Sequence, residues 1–458
     1  MTAELRKTLA GIVGSANATS GSDVADSVWD THQPFQGQLL VCPSSTEQVA
    51  QVLAACDSAS QTVVPMGGLT NLVQGCATRA GDIGLSLRKL NRIEAIDPIA
   101  QTMTVQAGVT LREAQAAADA AGLFFPLDIG ARDNCMLGGN VATNAGGTKV
   151  IRYGMSRDSV LGLEAVLANG TVVSSMNRFI KNNSGFDLKH LFIGTEGTLG
   201  VITRIVFRLS VKPRSHNVAL LACNTFADVV QVLKSAREQL GSDLCGFEVM
   251  WNNFYTKVTV PEGKQPAPLP ADHAFYVIIE AMGTDVARDA DLFTGALESL
   301  FDGDTVVDGV LAKSDKERAA IWAIRDDVEW LVSNCMNFDV SLPVVDVGDY
   351  VATVSARIEA DVPNVFIAAF GHLGDNNIHL SVLLEKDRSK YEDVIQEHVY
   401  QALIPYAGAI SAEHGIGIEK REFLPISRTP AEIQLMKSLK IMMDPNNILN
   451  PGKVIEIE

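Results

Sequence analysis

His372 and His379 lie seven residues apart in FGHLGDNNIHL, across a Gly-Asp-Asn-Asn turn, in a chain with only eight histidines. A gap of that length across a turn brings two imidazoles to one point. Further on, SAEHGIG sets a carboxylate, Glu413, beside another histidine, His414. Two imidazoles and one carboxylate hold a divalent cation and leave coordination positions open, the pattern of a catalytic rather than a structural metal site. On spacing alone the alternative stands: two core histidines hydrogen-bonded to backbone. Asp375 and Asn376 read as residues that shape the turn.

Three glycine-rich stretches supply a second kind of chemistry: VPMGGLTNLVQG (64–75), LGGNVATNAGGTKVIRYG (137–154) and IGTEGTLGVIT (193–203). Closely spaced glycines let backbone N–H groups approach an anion, typically a phosphate. Three such loops, each beside a strand, point to a large phosphate-bearing ligand. None reads GxGxxG or GxxxxGK[ST], so neither a Rossmann dinucleotide fold nor a Walker P-loop is indicated.

The elements that must position these residues alternate. STEQVAQVLAACDSASQTVVPM predicts a helix capped by Ser45 and then a strand; residues 1 to about 35 read as one or two short helices. LSLRKLNRIEAIDPIAQTMTVQ predicts strands broken at Asp97-Pro98, and LREAQAAADAAG a helix ending at Gly122. VLGLEAVLANGTVV predicts a hairpin turning at Asn169-Gly170. A boundary falls near residues 212–217, followed by the amphipathic helix TFADVVQVLKSAREQLG. HAFYVIIEAMG and NVFIAAFGHLG read as strands, with helices at 284–301 and 387–404. The tail predicts a helix stopped by Asp444-Pro445. At 458 residues two or three domains are expected.

A formal charge of −17 argues against nucleic acid and against an anionic membrane surface. No uncharged apolar run reaches the roughly 20 residues of a membrane span. Seven scattered cysteines without CxxC spacing, and a first stretch unlike a signal peptide, lead to the expectation of a reduced, cytoplasmic chain.

The stretch FPLDIGARDNCMLGGNVATNAGGTKVIRYGMSRDSVLGLEAVLANGTVV, with KNNSGFDLKHLFIGTEGTLGVIT, closely resembles the FAD-binding domain of the vanillyl-alcohol-oxidase-type flavoproteins. Within them the chain is most similar to the D-2-hydroxyacid dehydrogenases, the D-2-hydroxyglutarate and D-lactate branch. The likeness continues through FGHLGDNNIHL, SAEHGIG and DPNNILNPGK. It implies an α+β fold of two domains: an FAD-binding domain over 1–215, a substrate and metal-binding cap over 216–430, and a tail, 431–458, returning to the FAD domain. It implies noncovalent FAD, with Met66, Gly67, Gly68, Leu69, Thr70 and Asn71 around the pyrophosphate. Pro126, Asp128, Gly139, Thr143, Asn144, Gly146, Gly147 and Tyr153 would line the cofactor further. Glu196, Gly197, Gly200 and Ile202 would hold its adenosine side, and Asn450 would sit near the flavin ring. The family's phosphate loop reads GGNTGLVGG; here Leu69, Asn71 and Gln74 depart from it.

The same resemblance implies that His372, His379 and Glu413 bind zinc or a similar divalent cation, and that His414 touches the substrate as catalytic base. Arg325, in IWAIRDDVEW, would bind the carboxylate of a small 2-hydroxy acid; the alternative is a surface helix arginine paired with an acid. The D-2-hydroxyglutarate enzymes carry a threonine where this chain has Glu329, a lysine where it has Asn337 and an asparagine where it has Ser381. A glutamate near a second substrate carboxylate would repel it. The expectation is therefore a D-lactate-like monocarboxylate, or a 2-hydroxy acid with a neutral or cationic tail. Electrons would pass to a protein or quinone, and a homodimer is implied. Two rival readings are an oxidase using dioxygen directly and a non-catalytic flavoprotein subunit of a larger oxidase. The second would show a broken metal set, whereas all four residues are present here.

Overall fold

The computed structural model describes residues 1–25, 33–261, 264–328, 330–331, 335–384 and 388–457. Contacts divide the chain into two compact units: Met1–Gly146, Gly154–Lys212 and Glu413–Glu458 form the first, and Gly147–Tyr153 with Pro213–Ala412 the second. The sequence reading drew its boundaries at 215 and 430. The division at 412 has a plain cause, since the chain beyond it is tied into the first unit by hydrogen bonds such as Asn450 N to the Val63 carbonyl, 2.8 Å, and Ile418 N to the Val73 carbonyl, 3.0 Å. The short segment 147–153 goes with the second unit because Lys149 pairs there with buried Glu280 and Arg152 donates to the Met282 carbonyl.

In the first unit β1 (Ala18–Ser20), β2 (Leu39–Val41), β3 (Val63–Met66) and β4 (Ile83–Ser86) form a sheet in the order β1-β2-β4-β3. β2, β4 and β3 run parallel. A parallel pair needs a crossover, and the helix Thr46–Ser58 supplies it. The Ser45 side chain caps this helix, accepting from Gln48 N at 3.3 Å, as expected from the sequence. Its Val49, Val52, Leu53 and Cys56 recur at helical spacing and are fully buried in the core with Leu39, Val63, Ile83 and Leu85. Ile448 and Leu449 from the tail enter the same core, and Leu449 bridges to Val63 in parallel, so the tail extends the sheet beside β3.

A second, antiparallel sheet takes β5 (Ile93–Asp97), β6 (Thr102–Gln106), β8 (Val160–Val166), β9 (Val172–Ser175) and β10 (Val201–Arg208) in the order β5-β6-β10-β8-β9. The Asn169-Gly170 turn joins β8 to β9 as predicted. The two-residue β7 (Leu123–Phe124) pairs with β11 (Ser210–Val211).

The second unit is built on one antiparallel sheet. Its strands are β12 (Ser215–Cys223), β13 (Leu244–Trp251), β14 (Phe275–Gly283), β15 (Asp308–Leu311), β16 (Cys335–Ser341), β17 (Val365–Gly371) and β18 (Asn377–Leu384), in the order β15-β12-β14-β13-β17-β18-β16. The helices Phe226–Leu240 and Val286–Asp302 pack on the sheet and on each other. The helices Asn252–Thr259 and Asp315–Arg325 share a core with Met250, Ile278, Ala368 and Phe370. Among the described residues no helix is long and apolar enough to cross a membrane.

Candidate active site

Side chains two residues apart on a strand share a face, and register carries that face across the sheet. Met250 on β13 lies opposite Phe370 on β17, Phe370 opposite His379 on β18, and His379 opposite Asp339 on β16. Glu248 and Ser381 follow at two-residue steps, and Asn337 lies opposite Ser381. One face of the sheet thus turns from apolar over β12 and β14 to polar over its last strands. His372 comes one residue after β17 ends at Gly371, which pairs with Val249. The register therefore brings His372 alongside Glu248.

The side chains complete this arrangement. His372 Nδ1 and Glu248 Oε1 are 2.6 Å apart, and Arg325 Nε donates to Glu248 Oε2 at 2.9 Å. Arg325 Nη2 lies 3.2 Å from His372 Nε2. A guanidinium only donates, so Nε2 is the acceptor and Nδ1 carries the proton given to Glu248. The guanidinium also lies over the Phe370 ring, 5.0 Å from its centroid. Arg325 is buried at the end of its helix and is no surface arginine. Burial alone would raise the Glu248 carboxyl; its contacts with His372 and Arg325 outweigh burial and hold it down at about 2. The rings of His372 and His379 are 5.3 Å apart, centroid to centroid, and set edge to face. One nitrogen of each lies within 4.8 Å of the other, and His379 Nδ1 is 3.9 Å from Asp339 Oδ1. Two imidazoles this close, one of them held by a carboxylate with its second nitrogen as a lone-pair acceptor, are a donor set that fits a divalent cation.

Ser381 Oγ donates to Asn337 Oδ1 at 2.8 Å, and Asn337 Nδ2 to the Leu331 carbonyl at 2.9 Å, so the pair braces itself across β16 and β18. Glu329 lies outside the described residues. Ala412 N donates to the Asp339 carbonyl at 3.2 Å, and the chain leaves the second unit there, one residue before Glu413. Glu413 and His414 open the last segment of the first unit, where the His414 carbonyl accepts from Asn71 Nδ2 at 3.5 Å.

The glycine loops of the first unit form a cradle. A Cβ added to Gly67 would find its nearest neighbour, Gly139 Cα, at 3.8 Å, and one added to Gly139 would meet nothing within 4 Å. A Cβ on Gly68 would overlap the Asn134 carbonyl, so the two loops touch backbone to backbone beside a gap walled by bare glycine. That gap suits a pyrophosphate, and the site fits FAD. Leu69 and Gln74, two of the departures from the family's loop, sit at φ of 59° and 57°, where that pattern has asparagine and glycine. The third departure, Asn71, braces the loop by accepting from Val73 N at 3.1 Å and Gly75 N at 2.6 Å. Met66 anchors the loop among Phe35, Leu40, Cys42 and Val64. Thr70, Pro126 and Asp128 are half-buried, and Asp128 pairs with Arg132 at 3.1 Å.

Several residues assigned to FAD by resemblance hold the backbone in place. Thr143 Oγ1 donates to the Gly139 carbonyl at 3.1 Å, and Asn144 Oδ1 accepts from Arg157 N at 2.9 Å. Glu196 spends both carboxylate oxygens on Ile416 N, 2.7 Å, and Gly417 N, 3.0 Å; burial pushes its carboxyl above the ordinary value against these two donors. Asn450 Nδ2 donates to the carbonyls of Glu196, 2.8 Å, and Gly75, 3.1 Å, while Lys453 Nζ donates to its Oδ1 at 2.7 Å. Gly197 packs on Pro65, Gly200 leaves no room for a Cβ against Phe192, and Ile202 is buried in β10. Gly146 ends a first-unit segment, whereas Gly147 and Tyr153 bound the short segment of the second unit.

Sequence reasoning missed Glu248 and Asp339. A signal was present for the first: a lone carboxylate in the apolar run LCGFEVMW, seven of whose eight residues are buried.

Two family models match the chain, that of the FAD binding domain over residues 37–175 and that of the C-terminal domain of FAD linked oxidases over residues 212–454. A probable mitochondrial D-2-hydroxyglutarate dehydrogenase of Oryza sativa subsp. japonica is 38% identical, over 97% of this chain and 80% of its own length. A D-2-hydroxyglutarate–pyruvate transhydrogenase of Saccharomyces cerevisiae is 35% identical, over 96% and 91%. A putative mitochondrial D-lactate dehydrogenase of Schizosaccharomyces pombe is 35% identical, over 97% and 87%. Among solved structures, p-cresol methylhydroxylase superposes with a TM-score of 0.80 over 99% of this chain and 96% of that one at 18% identity. Alkyldihydroxyacetonephosphate synthase gives 0.73 over 98% and 86% at 18% identity. At such identity these two establish the fold alone, the two-domain vanillyl-alcohol-oxidase type. The chain belongs to the FAD-linked oxidases, in the branch of the D-2-hydroxyglutarate and D-lactate dehydrogenases.

Proposed function

We propose that this chain is an FAD-dependent dehydrogenase that oxidises a D-2-hydroxy acid to its 2-oxo acid with the help of a divalent cation, zinc or one like it. The observation that carries the reading is the cluster of His372, His379 and buried Arg325 on one face of the second unit's sheet. When bound, the flavin supplies the two-electron acceptor and the cation supplies a Lewis acid that lowers the pKa of a hydroxyl. His372 and His379 offer the cation their ring nitrogens, with Glu413 as third ligand by family resemblance. Arg325 binds the substrate carboxylate and so fixes the C2 hydrogen relative to the acceptor. His414 takes the hydroxyl proton. Electrons leave to a protein or quinone.

The side chains at the far end favour a monocarboxylate such as D-lactate over a five-carbon diacid. Asn337 and Ser381 satisfy each other and present no cation to a second carboxylate. The test is anaerobic titration of the flavin-loaded protein with D- and L-lactate, malate and 2-hydroxyglutarate, with and without a chelator. Bleaching of the visible flavin band by D-lactate alone, abolished by the chelator, is the expected result. Bleaching by D-2-hydroxyglutarate in preference to lactate would overturn the substrate assignment, and bleaching that ignores the chelator would overturn the role of the metal. Rapid aerobic peroxide formation would instead make the chain an oxidase.

A further inference from the structure

We propose that Glu248 is the positioning residue that sets the tautomer of His372 for a cation and holds Arg325 beside it. The inference rests on the metal-assisted reading. The geometry is specific. The carboxylate divides its two oxygens between two side chains of the site, Oε1 with His372 Nδ1 at 2.6 Å and Oε2 with Arg325 Nε at 2.9 Å. It is 1% exposed, on β13 in mid-sheet, and the register lays it alongside His372. A neutral imidazole donates from one nitrogen and accepts at the other. An ionised carboxylate at Nδ1 therefore makes Nε2 the lone-pair nitrogen, and the Arg325 Nη2 contact at 3.2 Å reads that lone pair from the other side. A cation takes that one lone pair, so Arg325 Nη2 gives up the contact when a metal binds. A carboxylate behind a ligating histidine fixes ring orientation and raises ligand basicity, and its loss commonly weakens metal binding about 10- to 100-fold.

An isolated stabilising ion pair would not require the histidine contact, so the two roles separate experimentally. The protein is prepared flavin-loaded as Glu248→Gln, Glu248→Ala and His372→Ala variants beside the unaltered chain. Co²⁺ and Zn²⁺ affinities are measured by absorbance and chelator competition. The ring of His372 is read by long-range ¹H–¹⁵N correlation in histidine-labelled protein, with the His372→Ala spectrum assigning the signal. Flavin content and melting report on folding. The expected result is a fall of about 10- to 100-fold in metal affinity for Glu248→Gln. Flavin content should be unchanged, and the Nδ1–H signal of the unaltered protein should be replaced by a mixture of tautomers. Unaltered affinity in Glu248→Gln, with affinity lost in His372→Ala, would overturn the proposal; so would a His372 protonated on Nε2 in the unaltered protein. Should the unaltered chain bind cations no better than His372→Ala, the metal-assisted reading falls, and the tautomer spectrum still decides what Glu248 does. If the Glu248 variants fail to fold, that same spectrum of the unaltered protein decides alone.

Discussion

The cradle between the loops at 67–68 and 134–139 makes two neighbouring glycines behave oppositely. In Gly68→Ala the new methyl overlaps the Asn134 carbonyl oxygen and lies 2.8 Å from its carbon and 2.9 Å from Cys135 Cα. These are backbone atoms that cannot rotate away, so the two loops must part. Forcing extra volume into packed structure costs about 1–3 kcal/mol. For a unit of this size each kcal/mol lowers the melting temperature by about 2–4 °C. The flavin-free variant should therefore melt about 2 to 12 °C below the unaltered protein. If the parted loops no longer fit the pyrophosphate, FAD affinity falls by the same energy, about 5- to 150-fold at 1.4 kcal/mol per tenfold. Gly67→Ala meets nothing nearer than 3.8 Å. Without flavin it should melt within about 1 °C of the unaltered protein, a surface-like change being worth under about 0.5 kcal/mol. Its methyl fills the gap, however, so FAD binding should weaken all the same. The measurements are melting of the flavin-free proteins and quenching of FAD fluorescence on titration. A Gly68→Ala variant that melts normally, or a Gly67→Ala variant that binds FAD at full affinity, would refute the assignment of this gap to the cofactor.

Buried Lys440 pairs with Asp444, which also accepts from Ile448 N and Leu449 N at 3.0 and 2.8 Å. Asp444→Asn leaves the buried ammonium its two carbonyl partners but no counter-charge, and should destabilise the first unit by about 3 kcal/mol, read by urea unfolding. Burial lowers the Lys453 ammonium from its ordinary 10.5 to about 8. The unfolded chain then binds the extra proton between those values, so stability is lowest below about 8 and rises as pH climbs towards 10.5. Between pH 7 and 9.5 the unaltered protein should gain about 2 kcal/mol relative to Lys453→Met, and equal urea midpoint shifts in both would contradict this. Asn337→Lys breaks the bond from Ser381 and places a cation where the D-2-hydroxyglutarate enzymes carry lysine. It should lower KM for the five-carbon D-diacid by about tenfold, one charge-assisted hydrogen bond's worth, with D-lactate turnover little changed.

Local order carried the parts of the site that the sequence made legible. The His372–His379 spacing and the glycine loops announce themselves because turns and backbone approaches require particular residues within a few positions. The helix Thr46–Ser58 and the β8–β9 hairpin were legible for the same reason, through a cap and an Asn-Gly turn. Glu248 and Asp339 were not, because their roles arise from strand register over more than a hundred residues in one case and about forty in the other. Nor did any local feature separate Gly146 from Gly147 or Ala412 from Glu413, where the division into units falls inside continuous motifs. Glu196 and Asn450 show the converse: family likeness marked them as cofactor residues, while the structure gives their side chains to backbone groups of the tail and loops.

The first unit is discontinuous, and its closing residues come last. On its side away from β4, β3 is bridged by the tail at Leu449 and Asn450, and the Glu196 carboxylate accepts from Ile416 N and Gly417 N. On a ribosome, where the chain emerges at about 5–20 residues per second, the opening strands wait for some 370 residues before that edge is covered. The second unit, nearly contiguous from 213 to 412, has all its strands in hand well before then. Synthesis thus reverses the written order: the later domain can consolidate first, while the earlier one persists as a half-built sheet with an uncovered edge. Such an edge is a ready template for pairing with another chain, and a pause in translation anywhere between residues 86 and 448 would lengthen its exposure.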